Sequence, residues 1–218
     1  MITSFTTSRE NAASSDTAPT LREPGKYICT IAEADTFERK GASGDYQFVR
    51  LLLKTDDKRF ATVELCVAGG QSNWQAKLFD AVCVCVGVNN PQFVPAQIKQ
   101  HRRGIIDQNL VSGYRCKELE KKRIGVLLQR VWRDYTDKNG ELREAFDLVL
   151  YKPFNPDSEL TASEIIAGAT TPKNLASAID PCMKDRDLRK GGAASSAPAH
   201  HAPVSAADTA PTEEEPPF

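Results

Sequence analysis

The most constraining stretch of this 218-residue chain is Asp137-Lys138-Asn139-Gly140, set between two long β-rich runs. Arg123 to Tyr135 (RIGVLLQRVWRDY) leads in, and Arg143 to Tyr151 (REAFDLVLY) leads out. Asn-Gly accepts the positive φ that tight turns demand, while the flanking branched and aromatic residues favour extended backbone. A long antiparallel hairpin is predicted here.

Upstream, the pattern is a three-stranded meander. Lys26 to Ala34 reads as a first strand, followed by a flexible turn at Lys40 to Asp45. Tyr46 to Lys54 returns as a second strand. Its alternation places Val49, Leu51 and Leu53 on one face and Phe48, Arg50, Leu52 and Lys54 on the other. In a third strand Ala61, Val63, Leu65 and Val67 alternate with Thr62, Glu64 and Cys66.

Gly69-Gly70 ends the meander, and Ser72 is a suitable N-cap for a helix over Asn73 to Val86. Trp74, Leu78, Val82 and Cys85 fall on one stripe of that helix, so Trp74 is expected in the core rather than stacked on a base. Gly87 is a natural C′ residue. In residues 91 to 122 a short helix near Ala96 to Arg103 and a strand near Tyr114 to Leu119 are expected. After the hairpin, Pro153 and Pro156 stop the sheet. Thr161 and Glu164 form a capping box for a short helix to about Ala167, and a second helix starts near Pro172 and runs through Leu175 and Ile179.

Three strands, a helix, then a strand and a long hairpin is the element order of a mainly β oligonucleotide-binding (OB) fold. The expected core is a five- to six-stranded Greek-key barrel over residues 23–155, with the helix between strands three and four. Residues 1–22 form a flexible arm, 156–190 a small helical appendage, and 191–218 a disordered linker.

Such barrels bind single strands by holding phosphates with Lys and Arg while bases stack on aromatics. Between Gln97 and Arg133 ten basic residues face three acidic ones. Trp132, flanked by Arg130 and Arg133 and followed by Tyr135, is the leading stacking candidate, weighed against a core role. Phe48 with Arg50 and Lys54 is the second. Arg115, Lys117, Lys121, Lys122 and Arg123 are the expected phosphate contacts, weighed against a merely solvated face.

Enzyme chemistry has little to stand on. His101 is the one histidine outside the tail, no Gly-rich loop carries a Lys-Ser/Thr phosphate grip, and no close acidic set suggests a two-metal nuclease. No catalytic residue, metal or cofactor is expected. The six cysteines lack zinc-knuckle spacing and lie mostly among aliphatics, and the chain opens without an apolar signal segment. No apolar run reaches membrane-spanning length. A reducing cytoplasm and no membrane association are the expectation.

The chain closes on Glu213-Glu214-Glu215-Pro216-Pro217-Phe218. Residues 191–218 carry −4, and residues 1–190 carry +3 from 28 basic and 25 acidic residues. Two prolines keep the tip extended, and a terminal Phe on an acidic tail has nothing of its own to bury against. A solubilising tail is the plain alternative; the terminal Pro-Phe favours docking into a pocket on another protein.

This tip resembles the acidic C-terminal peptide of bacterial single-stranded-DNA-binding proteins, which end in an acidic run, a short spacer and Pro-Phe. Phage replication proteins of the same class end likewise in acidic residues and Phe. Pro216 stands where the bacterial proteins usually carry an aliphatic residue. The resemblance covers about six residues and implies a phage-type protein that coats single-stranded DNA without sequence preference. Through Glu213 to Phe218 it would recruit replication or recombination partners, such as a polymerase, helicase, primase, exonuclease or recombinase. For a phage-encoded chain the compartment is the bacterial host cytoplasm. Monomer and homodimer are both compatible with it. With DNA absent, the acidic tip would compete for the basic groove. The alternative is a recombination mediator or protein-only adaptor that does not coat DNA.

Overall fold

The computed structural model describes residues 19–41, 44–69, 73–102, 105–136 and 139–189. The chain is mainly β, with one eight-stranded sheet and few helices. In order, the elements are β1 (Gly25–Gly41), β2 (Gly44–Thr55), β3 (Phe60–Ala68), α1 (Asn73–Val86), β4 (Val94–Arg102), β5 (Ile105–Arg115), β6 (Arg123–Thr136), β7 (Leu142–Phe154), α2 (Ala162–Ile166), α3 (Asn174–Met183) and β8 (Arg186–Asp187).

β1 is the spine of the sheet. One edge pairs antiparallel with β2 from Cys29 to Gly41. The other edge serves two partners in turn. Gly25 to Thr30 pair with Leu128 to Arg123 of β6, and Asp35 and Thr36 pair with Arg115 and Tyr114 of β5. Between them Ala32 is an extra residue, a bulge that bends the strand and lets it change partner.

Alternation builds the core. Val49, Leu51 and Leu53 of β2 and Val63 and Leu65 of β3 pack with Ile31 of β1 and with Ile124, Val126 and Leu128 of β6. α1 lays Leu78, Phe79, Val82, Cys83 and Val86 against this cluster. A second cluster lies on the other face of β6, where Leu127 and Phe154 meet Leu175, Ala178 and Cys182 of α3. Phe154 reaches its place because residue 125 is glycine: a Cβ there would lie 2.1 Å from the Phe154 ring.

The meander, α1 and the long hairpin occur in the expected order, with α1 spanning the residues expected. β1 runs on to Gly41, pairing through the expected Lys40 to Asp45 turn, and β7 passes Pro153, which pairs with Val126, to end at Phe154. The Ser72 cap, the Asp137-Lys138 turn residues and the acidic tip lie outside the described residues. Three expectations are corrected. Ala96 to Arg102 falls in β4, not in a helix, because β5 pairs with it from Val94 to Arg102; Arg103 lies outside the described residues. The strand expected at Tyr114 to Leu119 instead begins at Ile105 and ends at Arg115, with Lys117 to Lys121 in a turn. Trp74 is 48% exposed. Its neighbour Gln75 turns inward to accept the Cys66 N–H at 2.6 Å, which leaves Trp74 pointing outward from the first turn of the helix. In addition, Leu21, expected in the arm, is buried in the core.

The capping box of α2 forms as predicted and does more than cap. Glu164 Oε2 accepts the Thr161 N–H at 2.8 Å, and Oε1 accepts the N–H groups of Lys173 and Asn174 at 2.6 and 2.9 Å. The carboxylate thus joins the starts of α2 and α3. The Thr161, Asn174 and Lys173 N–H groups hold its pKa near 2, below the ordinary 4.5. A depressed carboxylate stabilises the fold above its unfolded pKa and loses that contribution as pH falls from 4.5 towards 2. Glu164→Ala is therefore expected to lower the urea midpoint at pH 7, with the gap to the parent protein narrowing through that window.

Candidate nucleic-acid interface

The β4–β5 hairpin forms an arm, joined in register to the rest of the sheet, among the described residues, through Asp35–Arg115 and Thr36–Tyr114. Gly113 makes the joint possible: a Cβ there would lie 2.4 Å from the Ile98 side chain and 3.1 Å from the Thr36 carbonyl. Between this arm and the outer side of β1–β2 lies an open groove of about 570 Å³. Gln47, Arg39 and Phe37 line one wall, and Lys99, Ser112 and Tyr114 line the other.

Cross-strand register sets the aromatic wall. Phe37 lies directly opposite Phe48, and the rings stack at 5.5 Å and 12°. Arg39 lies over both, 5.3 Å from Phe37 and 4.9 Å from Phe48. Tyr114 stands across the groove, about half exposed. Flat rings and a cation on one half-exposed wall can stack an unpaired base and hold the phosphate beside it.

Beneath the aromatics is a charge cluster that binds the arm to the sheet. Asp35 accepts Arg50 Nη2 at 3.1 Å and Arg115 Nε at 2.9 Å. Arg50 also donates to the Lys99 carbonyl at 2.6 Å. Arg115 lies 3.7 Å from Glu33 and 3.5 Å from Glu120. The Asp35 hydrogen bond, opposed by burial, raises the Arg115 pKa above its usual value.

Of the candidates read from sequence, Phe48 lies behind the groove wall, stacked on Phe37, which lines it. Arg50 is corrected: it is only 4% exposed, and its guanidinium is spent on Asp35 and Lys99, so it supports the groove and does not meet a phosphate. Arg115 is likewise engaged by three carboxylates. Lys54 is exposed, 5.7 Å from the Phe60 ring. Lys117, Lys121 and Lys122 are exposed on the turn after β5. Arg123 is exposed and lies 3.5 Å from Asp157, while Arg133 is exposed with Asp147 at 3.9 Å.

Trp132 does not join this groove. It is half-buried on β6 against Phe146 of β7 at 5.2 Å, with its Nε1–H donating to Asp185 at 2.9 Å. Arg130 lies 5.8 Å from its ring and is held by Asp185 at 2.9 Å. Tyr135 is half-buried opposite Arg143. The terminal residues Glu213, Glu214, Glu215, Pro216, Pro217 and Phe218 lie outside the described residues.

Sequence reasoning missed Phe37, Arg39 and Tyr114. A signal was present, since Asp35-x-Phe37-x-Arg39 and Tyr46-x-Phe48-x-Arg50 mirror each other about the Gly41–Gly44 turn. Among the described residues no helix is long and apolar enough to cross a membrane, and no cluster of three or more His, Cys, Asp or Glu side chains is arranged to hold a metal ion. No protein-family model and no curated protein matches the chain.

Proposed function

We propose that the chain is a single-strand nucleic-acid-binding protein built on an oligonucleotide-binding barrel. In this reading β1, β2, β3, α1, β6 and β7 are the five strands and helix of the barrel, and β4–β5 is an arm inserted before the fourth strand. More particularly, it is a single-stranded-DNA-binding protein of the phage-replication kind, which coats DNA without sequence preference. The terminal Glu213 to Phe218 recruits replication or recombination proteins.

The observation that carries this reading is the stacked Phe37–Phe48 pair under Arg39, facing Lys99 and Tyr114 across an open groove. Stacking on a ring face is tolerant of sequence because every base has a π-face. Arg39, which donates to Glu64 at 3.1 Å, and Lys99, 3.8 Å from Glu33, exchange these carboxylates for phosphates, and the exposed Lys117, Lys121 and Lys122 extend the basic path.

The test is fluorescence anisotropy of labelled oligo-dT across a salt series. Affinity is expected to fall linearly on a log–log plot, with a slope of about −0.7 per phosphate neutralised. Absence of binding at low salt would replace this reading with that of a protein-only adaptor or recombination mediator acting through its tip.

A further inference from the structure

β6 loses its neighbour at Leu128, where the pairing with β1 ends at Gly25. The vacated edge is taken by the chain leaving α3. β8 runs parallel to it at Val131 and Trp132, and the Leu188 N–H donates to the Trp132 carbonyl at 2.9 Å. Gln129 Nε2 donates to the Pro181 and Lys184 carbonyls at 3.2 and 3.0 Å. Residues 184–189 thus form a strap across the Trp132 face of the hairpin.

The strap is held by charge more than by apolar packing. Both oxygens of Asp185 accept Arg130 Nε at 2.9 Å, and one also accepts the Trp132 indole N–H. Arg189 crosses the Trp132 ring at 5.4 Å and reaches Glu144 at 2.8 Å, while Asp187 grips it from within the strap at 2.5 Å. Leu188 is about half exposed. Partly exposed ion pairs of this kind are individually weak and screened by salt. By contrast, α3 is anchored in the apolar cluster around Phe154.

Two aromatics, Trp132 and Phe146, lie beside Arg130 of β6, and Arg189 of the strap crosses the Trp132 ring. Arg130 is held by Asp185 of the strap and lies 3.4 Å from Glu23, while Arg189 is held by Asp187 and by Glu144 of β7. These are the ingredients of a single-strand site with anions already in place. We propose that Asp185 holds on Arg130 the position that a phosphate of a bound single strand takes, and that Arg189, set by Asp187, covers the Trp132 ring on which a base would stack. The strap is then a displaceable cover, and Trp132–Phe146 is a second, gated segment of the DNA path. The inference rests on the function proposed above and adds a site, Phe146 included, together with the strap residues, Asp185 and Arg189, that close it.

The experiment uses the full chain with Trp74→Phe, so that emission reports Trp132 alone, and follows oligo-dT anisotropy and Trp emission in one titration. Binding is expected to quench Trp132. In Asp185→Asn/Asp187→Asn on the same background, quenching is expected at three- to tenfold lower DNA. Hydrogen exchange of the parent chain supplies a readout independent of those substitutions: the 184–189 segment, with its Leu188 amide, is expected to lose protection when oligo-dT binds. Binding with silent Trp132 emission and unchanged strap protection would overturn the strap alone. No binding by anisotropy would overturn the function itself and the strap with it.

Discussion

Alanine at both Phe37 and Phe48 is expected to weaken oligo-dT binding by about 10- to 100-fold, since each base–aromatic stack contributes about 1–3 kcal/mol and two adjacent rings do not add fully. Phe37 lines the groove and Phe48 stacks against it at 5.5 Å, so the double substitution removes the aromatic wall together with its support. The salt dependence should stay as it is, because Arg39 and Lys99 keep their charges. Arg39→Gln or Lys99→Gln should behave in the opposite way, with a shallower salt slope and a smaller loss of affinity at high salt. Anisotropy titrations of all three variants at several salt concentrations separate the two contributions. An unchanged affinity in the double alanine variant would move the binding surface away from this groove.

Asp35→Ala is expected to destabilise the fold by about 3–5 kcal/mol, the usual cost of stripping one partner from a buried ion pair. Asp35 is fully buried and accepts from two arginines on different strands. Its loss leaves Arg50, nearly as buried, with the Lys99 carbonyl as its remaining described acceptor. That is a large share of the 5–15 kcal/mol by which most domains are stable. Arg50→Met in the Asp35→Ala background should recover part of the loss, since an uncharged side chain of similar length has no unmet partner. Urea unfolding followed by circular dichroism measures both. A loss under about 1 kcal/mol would mean that water reaches the cluster and that the arm is not held by it.

The parts of the fold legible in sequence are those whose signals are local. Asn139-Gly140 marked the long hairpin, alternation from Val49 to Leu53 marked the inner face of β2, and Gly87 with its φ of +67° closed α1. The arm was not legible. Ala96 to Arg103 is polar and without alternation, and Ala96 to Arg102 is extended because β5 pairs with it. The misreading of Arg50 follows from the same omission. On a bare meander it would face water; under the arm it is sealed against Asp35 and the Lys99 carbonyl. Trp132 was read with Arg130 and Arg133 as a base-stacking candidate; Arg133 lies 3.9 Å from Asp147, while Arg130 lies 5.8 Å from the Trp132 ring. Its cover comes from Asp185 and Arg189, more than fifty residues on, which no window around the hairpin contains.

The pairing of Gly25 with Leu128 has a consequence for how the chain is made. During synthesis β1 emerges about a hundred residues ahead of the strand that completes its edge, a delay on the order of ten seconds at ribosomal rates. Through that interval β2 and β3 can join β1, while the backbone groups of Gly25 to Thr30 lack their β6 partners. Closing so distant a pair also makes the nascent domain slow to reach its final state. A ribosome that stalls before Leu128 has emerged therefore leaves an unpaired strand edge exposed to other chains.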